Sequence, residues 1–297
     1  MSWLLAFLVF VYSPAALAHG VPSSGLNALA DEETWTFDLK VTLPLAISML
    51  IYATGVVRLW NHAGVNKGVR KWQVRCFAFG WAFLALALVA PLHWLGEQLF
   101  VAHMVEHEVL MTVSAPLIVI ARPYGAMMWG LPFTWRSRLG HALQNTAFLE
   151  IWSFLVDPPV ATALHAVAIW AWHIPGLFDA ALQNSWVHWA QHLSFFLTAL
   201  LFWRALLGAS LRVEAEGMAV VYLFITALHC SLLGVLITLA RRPLYPSQAS
   251  SAIWGLTPLQ DQQAAGLVMW IPPGIVYAAA ALFAVARWIE RSASKPQ

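Results

Sequence analysis

The sequence contains few charged residues and almost no cysteine. Only 10% of its 297 residues are charged and 60% are apolar, whereas about a quarter of the residues in an average soluble domain are charged. A chain with so few charges cannot cover the surface of a soluble protein. The net charge of +2 provides no basic excess for nucleic-acid binding. Both cysteines, Cys76 and Cys230, lie inside apolar runs, so a structural disulfide is not expected.

Two common metal-site motifs are also missing. The chain has neither the HExxH pattern of zinc hydrolases nor a CxxC metal-entry site. Glu106 and Glu108 flank His107 in the sequence, but they lie on different faces of a helix from it. Because no nucleophile and base stand at a suitable spacing, we expect a protein that is not an enzyme.

Residues 1–18 have the pattern of a secretory signal peptide. A short apolar stretch ends in Ala16-Leu17-Ala18, the small-x-small sequence that signal peptidase cleaves. Cleavage there leaves a periplasmic N-terminal segment at 19–38, which begins with His19, whose amine and imidazole can together bind copper. The alternative is an uncleaved first helix, for which the apolar run is short.

Seven apolar runs of roughly 20 residues follow, each long enough to cross a bilayer. They lie near residues 39–59, 72–92, 97–121, 158–178, 186–207, 218–240 and 264–287. Backbone groups in lipid must be hydrogen-bonded internally, so these runs are expected to be helices. The sequence therefore predicts an all-α, polytopic membrane helix bundle: one domain at 39–290 with seven transmembrane helices, and a cytoplasmic tail at 291–297. Pro116 and the Pro272-Pro273 pair predict local kinks in the third and seventh helices.

Lysine and arginine define an orientation for this bundle. With the mature N-terminus outside, 13 of the 16 basic residues lie in cytoplasmic loops or the C-terminal tail, as the positive-inside rule requires. Lys40, Arg241 and Arg242 are then on the outer side. We therefore expect a multi-pass protein of the bacterial inner membrane, with its N-terminus outside and its C-terminus in the cytoplasm.

Seven histidines fall within the predicted membrane helices. His103 and His107 are four residues apart on the third helix, and His188 and His192 are four apart on the fifth, so each pair shares a helix face. The other three are His165 and His173 on the fourth helix and His229 on the sixth. Counting a rise of about 1.5 Å per residue from the outer end of each predicted helix places all seven histidines in the outer half of the bilayer.

Other polar side chains are expected to be solvated. His62 and His141 lie in predicted cytoplasmic loops, and His93 lies in a short predicted external turn. Asp179 and Asp261 border the outer ends of the helices, where carboxylates can attract cations. Solvated turn residues are the more common finding at such positions.

An ionisable side chain inside a membrane normally faces a partner or a site. Neutral imidazole is the commonest metal ligand and suits copper, zinc and iron. We therefore predict a metal or haem site with His103, His107, His188 and His192 at its core and His173 as the next ligand. Further candidates are His165, His229, Met104, Met111, Cys230 and Met269. Thioether and thiolate ligands favour Cu(I), whereas paired histidines are equally suited to haem.

Several segments of the predicted helices form a recognisable series. They are HMVEH at 103–107, SAPL at 114–117, DPP at 157–159, WAWHIPGLFDAALQN at 170–184, VHWAQHLSFF at 187–196, LFW at 201–203 and DQQAAGLVMWIPPG at 261–274. In this order, from about residue 40 to residue 290, the chain resembles the seven-helix CtaG-type cytochrome c oxidase assembly proteins. The resemblance covers essentially the whole predicted membrane domain.

This resemblance implies an accessory role in building a haem-copper oxidase, with copper supplied to the oxidase's buried copper centre. The implied partners are the oxidase subunit that carries this centre, other periplasmic copper donors and the lipid bilayer, but no nucleic acid. The family usually has an acidic residue where this chain has Gln191, so a carboxylate ligand is not expected there. Two alternatives stay open: a haem-binding membrane cytochrome, which would show a Soret band, and a metal permease, which would show flux in proteoliposomes.

Overall fold

The computed structural model describes residues 37–89, 91–208, 213–245 and 255–293. Helices and short connections make up these ranges, and no strand occurs within them. The predicted all-α fold is therefore confirmed. The predicted signal peptide, His19 and the last four residues of the predicted tail lie outside the described residues.

The first half of the bundle runs from α1 to α6. Its helices are α1 (Leu39–Ala63), α2 (Lys71–Leu88), α3 (Pro91–Gln98), α4 (Phe100–Glu108), a π-helical turn (Val109–Ser114), α5 (Ala115–Ala121) and α6 (Tyr124–Gly130). The second half comprises α7 (Phe133–Leu143), α8 (Thr146–Leu155), α9 (Pro158–Trp172), α10 (Pro175–Gln183), α11 (Ser185–Leu207), α12 (Val213–Thr238) and α13 (Pro258–Ala293).

Five helical stretches are long and apolar enough to cross a membrane. They are α1, Phe100–Ala121, α11, Gly217–Thr238 and α13. Two bent pairs, α2 with α3 and α8 with α9, bring the number to seven if each pair forms one span. The described residues therefore match the predicted polytopic membrane protein, with bends that the sequence did not predict.

The fourth predicted span, 158–178, has the wrong bounds. Helix α9 contains only 15 residues and ends at Trp172, with His173 as its C-cap. The helix ends in a tighter turn, in which the amide of His173 donates to the carbonyl of Trp170, three residues back, rather than to the carbonyl of Ile169. Pro175 cannot donate an amide hydrogen and begins a new helix, α10. At its other end α9 meets α8 at an angle of 66°.

The third predicted span contains a π-helical turn just before Pro116. In the π register, the carbonyl of Met111 would receive the amide hydrogen of residue 116, which proline lacks. The indole Nε1 of Trp203 on α11 donates to this carbonyl instead, at 2.8 Å. The turn is therefore joined to α11, and this bond helps to set α4 and α11 side by side.

Close contact between α12 and α13 depends on glycine. A Cβ added at Gly266 would lie 2.7 Å from the carbonyl oxygen of Gly234 and would also collide with Thr238. Small residues allow membrane helices to approach at such crossings. Since α13 also packs against α4, this crossing helps to place Met269 beside the residues of α4.

Outward-facing side chains are strongly apolar. Leu50, Phe224 and Phe283 are all more than half exposed, and they lie on helices that are apolar enough to cross a membrane. Exposed apolar surface on this scale is typical of contact with lipid rather than water. The buried core contains large aromatic side chains, among them Trp203, which stacks on Tyr277.

Reporter fusions test the orientation that the basic residues predict. Fusions after residues 65 and 135 and at the C-terminus are expected on the cytoplasmic side, and fusions near residue 183 on the opposite side, because 13 of the 16 basic residues then lie inside. Alkaline phosphatase and a cytoplasmic fluorescent reporter would distinguish the two sides. A C-terminus on the outer side would contradict this orientation.

Candidate metal centre

The two predicted histidine pairs face each other. Helix α4 carries His103 and His107, and helix α11 carries His188 and His192. The ring centroids lie 4.3 Å apart within each pair. Between the helices they lie 5.4 Å apart for His103 and His188 and 5.0 Å apart for His107 and His192. Two helix faces whose histidines are 85 residues apart in sequence thus form a single four-imidazole cluster.

His93 also belongs to this cluster, so the prediction that it is a solvated turn residue was wrong. It lies on α3, which begins at Pro91, and its side chain is only 17% exposed. Its ring stacks on that of His188 at 5.4 Å and lies edge-on to that of His192 at 6.0 Å. The segment after α2 looked like a turn because eight residues are too few to show a membrane helix in the sequence.

Glu106 is a buried carboxylate that sequence reasoning did not assign to the site. It is 0% exposed, and its Oε1 lies 2.8 Å from Nδ1 of His93 and 3.4 Å from Nδ1 of His192. When these Nδ1 atoms donate to the carboxylate, the free lone pair of each ring lies on Nε2, which is then available to a metal. An acid in a membrane helix normally has a functional partner, and this was the signal available in the sequence.

Two groups of side chains have the spacing of a metal site. One ligand atom from each of His103, His188 and His192 can be chosen so that all three lie within 4.8 Å of one another. The same holds for His93, Glu106 and His192. His192 belongs to both groups, which together contain five residues, and His107 adjoins them through ring contacts with His103 and His192. These six residues are called the histidine cluster: His93, His103, Glu106, His107, His188 and His192.

Five of the ten ring nitrogens in the cluster are buried without a hydrogen-bond partner among the described residues. These atoms are Nε2 of His103, His188 and His192 and both nitrogens of His107. Buried polar groups are nearly always hydrogen-bonded, and leaving one unpaired costs about 1–3 kcal/mol. A bound cation would satisfy several of these nitrogens at once, so the donor set fits a metal ion.

Helix α3 approaches α4 closely at Gly96. A Cβ at this position would lie 3.0 Å from Oε2 of Glu106 and 3.3 Å from Cα of His103. His103 also forms a hydrogen bond with the backbone of Gly96. This contact orients the His103 ring, and a larger residue at position 96 would push α3, with His93, away from the cluster.

Asp261 is buried, so the prediction that it is a solvated residue at the outer mouth was wrong. Its carboxylate is on α13 and accepts hydrogen bonds from the amides of Phe100 and Val101, at 2.8 and 2.9 Å. These amides belong to the first turn of α4, where backbone N–H groups lack helical partners. Asp261 therefore caps α4 from another helix and sets the position of His103 one turn further on.

Asp261→Ala tests this capping role. The loss of two hydrogen bonds to a charged acceptor is expected to lower the free energy of unfolding by about 1–3 kcal/mol and to lower the midpoint of thermal unfolding in detergent. Asp157→Ala is the matched control, since Asp157 is an exposed N-cap residue of α9 whose side chain makes no capping bond. Equal unfolding midpoints for the two variants would contradict the role.

A second group of candidate ligands lines a small internal cavity next to the cluster. It comprises His173, Met104, Met111, Cys230 and Met269, and His107 of the cluster also lines this cavity. His173, which the sequence predicts as the next ligand after the four central histidines, lines this cavity. Nδ1 of His173 donates to the carbonyl of Ile169 at 2.6 Å.

Tyr245 holds the backbone at His173. Its hydroxyl donates to the carbonyl of His173 at 2.9 Å, and its ring packs against Phe100 and Phe178. Burial raises the pKa of this hydroxyl, and the Asp179 carboxylate raises it further. The hydroxyl therefore stays protonated, as a donor must, and keeps the chain break after α9 in place.

His165 and His229 lie apart from the histidine cluster. Nδ1 of His165 is 3.0 Å from Oγ1 of Thr198, and its ring stacks on Phe202. Among the described residues, neither histidine joins the metal-spaced groups. His62 and His141 are exposed, as expected.

Gln191 stands at the position where the family that this chain resembles usually has an acidic residue. It is completely buried on α11, and both atoms of its amide lack a hydrogen-bond partner within the described ranges. The carboxylate that contacts the histidine cluster is supplied by Glu106 on α4 instead. Nothing in the structure explains why an amide stands at position 191.

The fold and the cluster define a class: a polytopic helical membrane protein with a buried set of imidazoles and one carboxylate. The family model described as cytochrome c oxidase caa3 assembly factor matches residues 50–291. The chain therefore belongs to this family of assembly factors, which confirms the resemblance seen in its segments.

Curated relatives are distant. An uncharacterized protein of Mycobacterium bovis and one of Mycobacterium tuberculosis are each 25% identical over 180 residues, which is 59% of this chain. The match spans 26% of the length of each relative. No solved structure matches.

Proposed function

We propose that this assembly factor binds copper at the histidine cluster and supplies it to the oxidase subunit that carries the buried copper centre. One observation carries the proposal: five buried or half-buried imidazoles and a fully buried carboxylate meet at a site where five of the ten ring nitrogens are buried without a hydrogen-bond partner among the described residues. Neutral imidazole suits copper, and the family to which the chain belongs assembles a cytochrome c oxidase.

The packing of the rings favours an ion over haem. Haem with two axial histidines needs a flat slot between the two imidazoles for the porphyrin. In the cluster, neighbouring rings lie edge to face at 4.3–5.0 Å, and His93 and His103 each stack on His188. Such contacts leave space for a bare ion between nitrogens but not for a macrocycle, unless the helices separate.

The depth of the cluster suits transfer within the membrane. It lies about one to two turns from the start of α4 and of α11, so an ion entering from the nearby aqueous side travels only a short distance. If the N-terminus is outside, this side is the periplasm of a bacterial inner membrane, where other copper donors can load the cluster. An oxidase subunit with a buried copper centre could then accept the ion without its crossing the whole bilayer.

Complementation of a deletion strain tests this function. Deleting the gene is expected to lower haem-copper oxidase activity, and added copper is expected to restore part of it. The wild type and His141→Ala should restore activity, because His141 is exposed on α7. His103→Ala should not, provided that immunoblots show equal insertion.

Normal oxidase activity in the deletion strain, with no paralogue present, would contradict the proposed function. Uptake of copper by proteoliposomes containing the purified protein would instead support the permease alternative.

A further inference from the structure

The small cavity beside the histidine cluster is rich in sulfur. Its wall includes the thioethers of Met104, Met111 and Met269 and the thiol of Cys230. These side chains come from α4, the π-helical turn, α12 and α13, and none is more than 7% exposed. Methionine often fills gaps in an apolar core, but here three of the eight methionines converge on one cavity together with a thiol.

Imidazole nitrogens without partners are present at the same cavity. His173 donates from Nδ1 to the Ile169 carbonyl, so the lone pair of the neutral ring lies on Nε2, and this atom has no partner among the described residues. Oε2 of Glu108, which also lines the cavity, is buried without a partner as well. Purely apolar packing does not account for these polar atoms.

His107 connects the cavity with the histidine cluster. Its ring centroid lies 4.3 Å from that of His103 and 5.0 Å from that of His192, and the same side chain lines the cavity. Neither of its ring nitrogens has a partner in the described part of the chain. A ring that borders both sites can pass an ion between them.

We propose that this cavity is a second copper site, selective for Cu(I), that exchanges its ion with the histidine cluster through His107. The inference rests on the proposed function, because the cluster must bind copper first. Thioether sulfur suits Cu(I), whereas zinc sites in proteins are built from thiolate, imidazole and carboxylate ligands. Three thioethers at one site therefore favour Cu(I) over zinc and harder ions. The cavity therefore selects Cu(I) as well as binding it. The ion passes between the cavity and the histidine cluster as Cu(I), with no change in its oxidation state.

Anaerobic titration of the purified full-length protein with Cu(I), against a chelator of known affinity, tests the second site. The wild type is expected to bind two ions. The double variant Met111→Leu/Met269→Leu, which nearly conserves side-chain volume, is expected to bind one, and X-ray absorption should show that its copper–sulfur scattering is lost. Met127→Leu, in a separate buried cluster, should bind two.

Other outcomes separate this inference from the proposed function. Two ions in the double methionine variant, or a wild-type capacity of one, would overturn the second site while leaving the cluster as a copper site. No copper in the wild type would overturn both. If the double variant fails to fold, Cys230→Ser replaces it with the same expected loss of one ion. Silver(I), a soft ion without accessible redox chemistry, should give the same stoichiometries.

Discussion

Replacing His103 and His192 together by alanine is expected to abolish copper binding at the histidine cluster. These residues belong to the group whose ligand atoms lie within 4.8 Å of one another, and they come from different helices. Loss of even a hydrogen-bond partner of a ligand typically costs about 10- to 100-fold in metal affinity, so loss of two direct ligands should cost more. Competition with a copper chelator, in detergent, would measure the change.

The control for this variant is His62→Ala/His141→Ala. It removes the same number of imidazoles, but from exposed positions outside the cluster. The control therefore shows how much copper binds at these surface histidines. Its copper affinity should equal that of the wild type. Unchanged affinity in the His103 and His192 variant, with normal thermal unfolding, would refute the cluster as a copper site.

Replacing Glu106 by leucine is expected to lower copper affinity by about 10- to 100-fold, because the carboxylate orients two ligand rings through their Nδ1 atoms. Glu106→Gln keeps an oxygen acceptor at nearly the same position and should retain more of the affinity. The result is measured by the same chelator competition, together with the oxidase activity of complemented cells.

Glu150→Gln provides the comparison, since Glu150 is exposed on α8. A graded loss, in which leucine is worse than glutamine and glutamine is worse than the control, would support orientation of the rings by the carboxylate. Equal affinities for Glu106→Leu and the control would show that the carboxylate contributes nothing to the site.

The four central histidines could be predicted because their geometry is local. Residues four apart on a helix share a face wherever the helix lies, and imidazole is costly to bury in lipid without a partner. It was therefore enough to recognise two apolar helices that carry the pairs. The all-α membrane fold could be predicted for a similar reason, since long apolar runs leave few alternatives.

His93, Glu106 and Asp261 depend on contacts that the sequence does not reveal. His93 needs the short helix α3 to fold against α4, and this approach depends on the missing side chain at Gly96. Asp261 finds its partners at backbone amides 160 and 161 residues away. The bend after α9 places His173 at the sulfur-lined cavity. It depends on the end of α9 at Trp172, on the start of a new helix at Pro175, and on the hydrogen bond from Tyr245 to the carbonyl of His173.

Metal analysis combined with an optical absorption spectrum would show whether the buried imidazoles bind a copper ion. Both are measured on the purified wild-type protein, isolated from cells grown with copper. We expect bound copper in stoichiometric amount and no Soret band. A Soret band that disappears in the His103→Ala/His192→Ala variant would show that the cluster binds haem instead, and a protein that contains neither copper nor haem would refute the cluster as a copper site.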